Sequence, residues 1–138
     1  MTPEKKHAIE ESFARQTLMD TLGARLVSIE DGQVVIEAAL QGSTKQQHGF
    51  AHAGLTFAIG DSAAGYSAMS LLPEGSDVLT AEIKINLLAP AKGPILRATG
   101  HVIKAGRRLV VVSSVVQNIA DDGTVTDVAV LQGTMVPA

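Results

Sequence analysis

Between His48 and Met69 the chain reads HGFAHAGLTFAIGDSAAGYSAM, with two histidines, one carboxylate at Asp61, and no Lys, Arg or Glu. A lone acid in so apolar a stretch suits base or nucleophile work, because a carboxyl held away from water has its pKa raised. The plainer reading is a structural acid, hydrogen-bonded in place or capping a helix that begins near Gly60-Asp61-Ser62. Upstream, His52-Ala53-Gly54 stands where polar loop gives way to an apolar run. The first N–H groups of a helix lack internal partners and carry partial positive charge. They can hold a carbonyl oxygen while it becomes an oxyanion. Such a donor with a carboxylate two turns on is a constellation for acyl transfer.

These residues need a long helix to carry them, and the sequence offers one. The stretch Ala53 to Leu72 is the only long central helix candidate, closed by Pro73. On it, Phe57 and Gly65 lie one turn either side of Asp61, with Gly54, Ala58, Ala64 and Ala68 close by. That face is small enough for a backbone or a slender ligand to approach. Leu55, Ile59, Ser62, Tyr66 and Met69 form a bulkier face suited to packing on a sheet. Gly54, Gly60 and Gly65 each cost about 1 kcal/mol against Ala in a helix interior, so burial rather than propensity must hold the helix.

The remaining elements are short. Thr2-Pro3-Glu4 predicts a helix start, with a helix to about Gln16 and a turn over Thr17 to Leu22. Ala24–Ile29 and Gln33–Leu40 read as a hairpin around Asp31-Gly32, and Gly42–Phe50 as a loop. Four strands follow the long helix: Leu79–Leu87, Ile95–Lys104, Leu109–Asn118 and Val125–Met135. The first alternates, with Ala81, Ile83, Ile85 and Leu87 on one side and Thr80, Glu82, Lys84 and Asn86 on the other. The Val110-Val111-Val112 run predicts a central strand covered on both faces. The class is α+β, an antiparallel sheet of about six strands wrapped around one helix. Residues 1–138 form one domain, with 1–22 as an N-terminal helical segment.

Composition narrows the function. With 138 residues, 46% apolar and 18% charged, the chain is globular. Only 3% is aromatic and the net charge is −3, which argues against nucleic acid as a partner. The absence of cysteine excludes disulfides, thiolate zinc sites and cysteine nucleophiles. No two of the four histidines stand at a metal-ligand spacing beside an acid, so no metal is expected. Leu55–Leu72 carries too many polar residues for a membrane span, and the polar start MTPEKKHAIEESFARQ has no apolar signal core. A cytoplasmic protein is expected. Ser113-Ser114 lacks a nucleophile elbow. Lys84 and Arg97 are expected to face solvent. Gly106-Arg107-Arg108 reads equally as a phosphate-binding site and as a solvated hairpin tip.

The segment His52-Ala53-Gly54, with Asp61 seven residues after Gly54, resembles the hotdog-fold thioesterases of the PaaI-like (phenylacetic acid degradation) branch. The stretch TAEIKINLLAPA, residues 80–91, is similar to that family's strand after the helix. The resemblance runs from about Gly23 to the C-terminus. It implies a hotdog fold and hydrolysis of acyl-CoA thioesters without metal or organic cofactor, in a homodimer or homotetramer. Carried over by position, the Ala53 amide polarises the thioester carbonyl, and Asp61 of the other subunit activates water or attacks the carbonyl itself. Thr80 helps hold the water, and His52 orients the loop or the thioester. Gln46 stands where relatives carry Asn, with Gln47 close enough to take that part. Gly54, Gln47, Arg107 and Arg108 complete the expected substrate contacts.

Ala53 replaces the family's first glycine, a change that costs about 1–2 kcal/mol if the backbone there is left-handed. Aryl and medium-chain acyl groups are equally open. The competing expectations are a non-catalytic acyl-CoA-binding or regulatory hotdog protein and a hotdog hydratase or dehydratase, which needs an Asp–His or His–Glu pair.

Overall fold

A computed structural model describes residues 1–138. Helix α1 covers Pro3–Arg15 and α2 Thr17–Thr21, followed by strands β1 (Ala24–Glu30) and β2 (Gln33–Ala39). A 3-10 turn at Gly42–Thr44 leads to the long helix α3, Ala53–Leu71. Strands β3 (Val78–Leu87), β4 (Ile95–Ala105), β5 (Val110–Ile119) and β6 (Val125–Pro137) complete the chain. The local signals behave as their chemistry requires. Thr2 caps α1 by accepting from the Lys5 amide at 3.1 Å, and Gly32 turns the β1–β2 hairpin with φ +75°. At the end of α3, Leu72 is extended, as the following Pro73 requires.

The six strands form one antiparallel sheet in the order β1-β2-β4-β5-β6-β3, and α3 lies across β2, β4 and β5 on its inner face. This is the hotdog arrangement. Leu55, Ile59, Ala63 and Tyr66 pack against Val34, Ile36, Leu96, Val116 and Leu131. A second cluster joins Ala64, Ala68 and Leu72 to Val110, Val112 and Met135. Each large side chain so buried contributes about 1.5–3 kcal/mol, which more than offsets the helix glycines. At Gly100 of β4, a Cβ would collide with the backbone of Ala63 and Ala64, so the glycine sets how closely strand and helix approach.

Three expectations need correction. Ala64 and Ala68 are fully buried on the sheet rather than part of an open small face. Strand β5 is central but alternates buried and half-buried residues, so its valine run is sealed on the helix side only. The strict alternation of β3 also fails at its start. Thr80 pairs with Met135 and Glu82 with Thr134, leaving Ala81 as an extra bulged residue. The bulge brings Thr80 onto the helix side with Ile83 and Ile85, away from Glu82 and Lys84.

Candidate active site

Asp61 occupies the middle of α3. Its Oδ1 accepts a hydrogen bond from Thr80 Oγ1 at 2.7 Å. The pair opens on a cleft of about 410 Å³ bounded by α3, the start of β3, Met135 and the α1–α2 junction. Burial pushes the Asp61 carboxyl above its ordinary range, and the Thr80 bond pulls in the other direction. A carboxylate of raised proton affinity beside an open cleft is equipped to take a proton from water.

The helix start is organised by its histidine. His52 is the N-cap of α3, and its Nδ1 accepts from the Gly54 amide at 2.8 Å. An accepting Nδ1 leaves the ring proton of the neutral imidazole on Nε2. A Cβ at residue 54 would stand 3.0 Å from that nitrogen, so glycine there admits the ring. The Leu55 and Thr56 amides point back to the His52 carbonyl. The Gly54 amide is therefore engaged by His52 of the same chain. Ala53 N–H is left as the free donor of the helix start. No non-glycine residue has a positive φ, so Ala53 sits in the first helical turn without left-handed strain.

The loop before the helix is held by Gln46. Its Oε1 accepts from the His48 and Phe50 amides at 2.6 and 3.2 Å, so its carbonyl end shapes the loop and only the amide nitrogen remains for a ligand. Gln47 and His48 are exposed. Arg107 and Arg108 are exposed at the β4–β5 hairpin, whose turn closes through Gly106 N–H to the Leu109 carbonyl at 2.9 Å. Register places Val110 opposite Met135 and Met135 opposite Thr80, so this hairpin lies at the Asp61 end of the sheet.

The chain thus brings Asp61 and Thr80 together but holds Ala53 apart from them. Eight residues of helix separate Ala53 from Asp61, about 12 Å along the axis. Ser12 and Gln16 of the cleft wall carried no local signal in the sequence, and Ser62 and Tyr66, expected on the sheet-packing face, bond the N-terminal segment through Gln16. Arg97 is not simply solvated. Its Nε donates to Glu37 Oε2 at 2.6 Å, and Arg25 Nη2 donates to Glu37 Oε1 at 2.8 Å, on the outer face of the sheet.

This fold falls within a known group. The model of the thioesterase superfamily matches residues 48–123, a span that includes both the helix start and Asp61. The chain belongs to the thioesterase superfamily and is a thioester hydrolase. A solved thioesterase family protein from Silicibacter pomeroyi is 38% identical, with a TM-score of 0.93 over 96% of this chain and 97% of that one. The 1,4-dihydroxy-2-naphthoyl-CoA hydrolase of Listeria monocytogenes is 28% identical over 90 residues, 65% of this chain and 73% of that protein. The PaaI protein of the E. coli phenylacetic acid degradation operon shares the fold, with a TM-score of 0.86 at 20% identity over 98% of this chain and 94% of that one. No helix is long and apolar enough to cross a membrane.

Proposed function

We propose that the protein hydrolyses acyl-CoA thioesters in a cleft completed by a second copy of the chain. Asp61 serves as general base or nucleophile, and Ala53 of the partner subunit supplies the oxyanion donor. The observation that carries this reading is the Asp61–Thr80 pair, a carboxylate of raised pKa held at 2.7 Å by a hydroxyl at the wall of a ligand-sized cleft. As a base, Asp61 takes a proton from water while the water oxygen bonds to the carbonyl carbon. Collapse of the tetrahedral intermediate breaks the C–S bond, and the departing thiolate takes up a proton. As a nucleophile, Asp61 displaces the thiolate directly, and water then hydrolyses the mixed anhydride.

The second copy is supported by the surface around the site. Strand β3 is a sheet edge, and its Leu79 and Leu87 are 64% and 57% exposed. An exposed apolar edge is a template for strand pairing. On α3, Gly54 and Phe57 also face outward beside Asp61. A dimer joined along this side covers both and brings a second helix start to the cleft. His52 then orients the donor loop, Gln46 or Gln47 offers its amide to the substrate, and Arg107 and Arg108 meet the coenzyme phosphates.

Single-turnover hydrolysis of an acyl-CoA in ¹⁸O-labelled water tests the chemistry and separates the two roles. A general base places the label in the first product carboxylate. A nucleophile whose anhydride is opened by water at the Asp61 carbonyl gives unlabelled product and a labelled Asp61, and one whose anhydride opens at the acyl carbonyl is revealed by hydroxylamine trapping of the acylated Asp61. No thioester cleavage across a panel of aryl- and alkyl-CoAs would overturn the acyl-CoA reading.

A further inference from the structure

The N-terminal segment is fastened to α3 beside Asp61 by a chain of side-chain hydrogen bonds. Ser62 Oγ, on the residue after Asp61, donates to Gln16 Oε1 at 2.9 Å. Gln16 Nε2 donates to Tyr66 Oη at 3.1 Å, and Ser12 Oγ lies 3.1 Å from the same hydroxyl. Gln16 is at once the C-cap of α1 and the N-cap of α2, so its amide bridges one turn of α3 where the segment bends. Around this polar chain, Tyr66 packs against Phe13 with ring centroids 6.1 Å apart. Ile9 of α1 and Met19 of α2 are buried in the main core.

The cleft therefore has two unlike sides. Asp61, Thr80 and Met135 form the side where the thioester is cut, while Ser12, Gln16 and Tyr66 form another. A glutamine bonded at both ends of its amide cannot swing aside freely. Movement leaves a donor or acceptor unpaired in a part-buried site, which is costly for each group. A stiff wall at this place limits how much acyl chain fits when the carbonyl is at Asp61.

We propose that Gln16 is a specificity-determining residue: clamped between Ser62 and Tyr66, its side chain is the stop for the acyl group, and the N-terminal segment thereby sets the acyl length hydrolysed. The proposal rests on the acyl-CoA thioesterase reading above. Gln16→Ala removes the atoms beyond Cβ and both bonds, lengthening the acyl space. Tyr66→Phe keeps the ring but leaves Gln16 Nε2 without its acceptor, so the wall loosens without a large cavity.

The experiment measures kcat/KM for straight-chain acyl-CoAs from butyryl to dodecanoyl, with thermal unfolding of each variant alongside. In Gln16→Ala the ratio of kcat/KM for longer over shorter chains is expected to rise by about tenfold or more, since one methylene in a fitted pocket is worth about 10–200-fold. Tyr66→Phe should shift the ratio in the same direction by less. A structural role alone lowers the rate for every chain length together with the melting temperature. Ratios unchanged in both variants, with wild type active on the panel, overturn the proposal and leave the thioesterase reading standing. A wild type that cleaves no member of the panel or of an aryl-CoA set overturns both. If Gln16→Ala fails to fold, the ratio in Tyr66→Phe decides alone.

Discussion

Thr80 Oγ1 donates to Asp61 Oδ1 at 2.7 Å, and it does so because a single bulged residue, Ala81, turns Thr80 toward the helix. The bond favours the ionised carboxylate, while burial disfavours it. The proton affinity of Asp61 is thus set by two opposed effects, of which burial is the larger.

Thr80→Val keeps the β-branched shape and removes the donor. With the lowering effect gone, the Asp61 pKa should rise further. The acid limb of kcat/KM against pH is expected to move to higher pH, and kcat at neutral pH to fall about tenfold through loss of positioning. A pH profile identical to wild type would show that the acid limb belongs to another group.

Asp61→Asn should lower kcat by about 10²–10⁴-fold with the fold intact, the usual range for a lost general base. Stability should change in the opposite sense. A carboxyl whose folded pKa lies above its ordinary value of 3.8 binds its proton more tightly in the folded state. Stability then falls as pH rises from that ordinary value through the folded one. Asp61→Asn removes the penalty, so its melting temperature should exceed wild type at neutral pH, with the gain shrinking on acidification. Equal activity in the two proteins would make Asp61 structural.

Much of the scaffold could be read from the sequence because its signals are local. Pro73 ends α3, Gly32 turns the first hairpin, and Thr2-Pro3 opens α1. The spacing of His52, Ala53 and Asp61 along one helix was equally legible. The face of Thr80 was not, since the bulge at Ala81 is marked by no glycine and is fixed by pairing with β6, far along the chain. Gln16 was hidden for the same reason. Its partners Ser62 and Tyr66 lie 46 and 50 residues away, and nothing near Gln16 announces them. Arg97 read as an exposed charge because only the register of β1, β2 and β4 aligns Arg25, Glu37 and Arg97 across three strands.

That alignment yields a stability prediction separate from the chemistry. Glu37 is almost wholly buried on the outer face of the sheet between the two guanidinium groups. Glu37→Gln keeps the shape but lacks the charge, Glu37→Ala also removes both acceptors, and either leaves two like charges adjacent. Charge-assisted bonds of this kind are worth about 1.5–3 kcal/mol in favourable cases, and the exposure of Arg25 permits some resolvation. Denaturant titration is expected to show a loss of about 1–3 kcal/mol for Glu37→Ala and less for Glu37→Gln. Thioesterase kinetics should stay within a few-fold of wild type, because Glu37 faces away from the cleft.

The last prediction follows from the separation of Ala53 and Asp61 along a rigid helix. A reacting carbonyl must lie within about 3 Å of the nucleophile with the oxyanion donor in reach. About 12 Å of helix separates the two groups within one subunit. In the proposed shared cleft, Ala53 of the partner subunit stands opposite Asp61, and two-fold symmetry would then create two mixed sites per dimer. Ala53→Pro deletes the donor at the first helical position, where proline is tolerated. The preceding His52 already has the extended backbone that a following proline requires, with φ −63° and ψ 141°. Ala53→Pro should fold and lose about 2.7–4 kcal/mol of transition-state stabilisation, and Asp61→Asn disables the other half. Co-expression of the two inactive variants under separate affinity tags isolates heterodimers in which one site carries both changes and the other neither. Those heterodimers should recover close to half the activity of a wild-type dimer. Heterodimers that form but stay inactive would mean that each subunit builds its site alone, and the shared-cleft reading would fall.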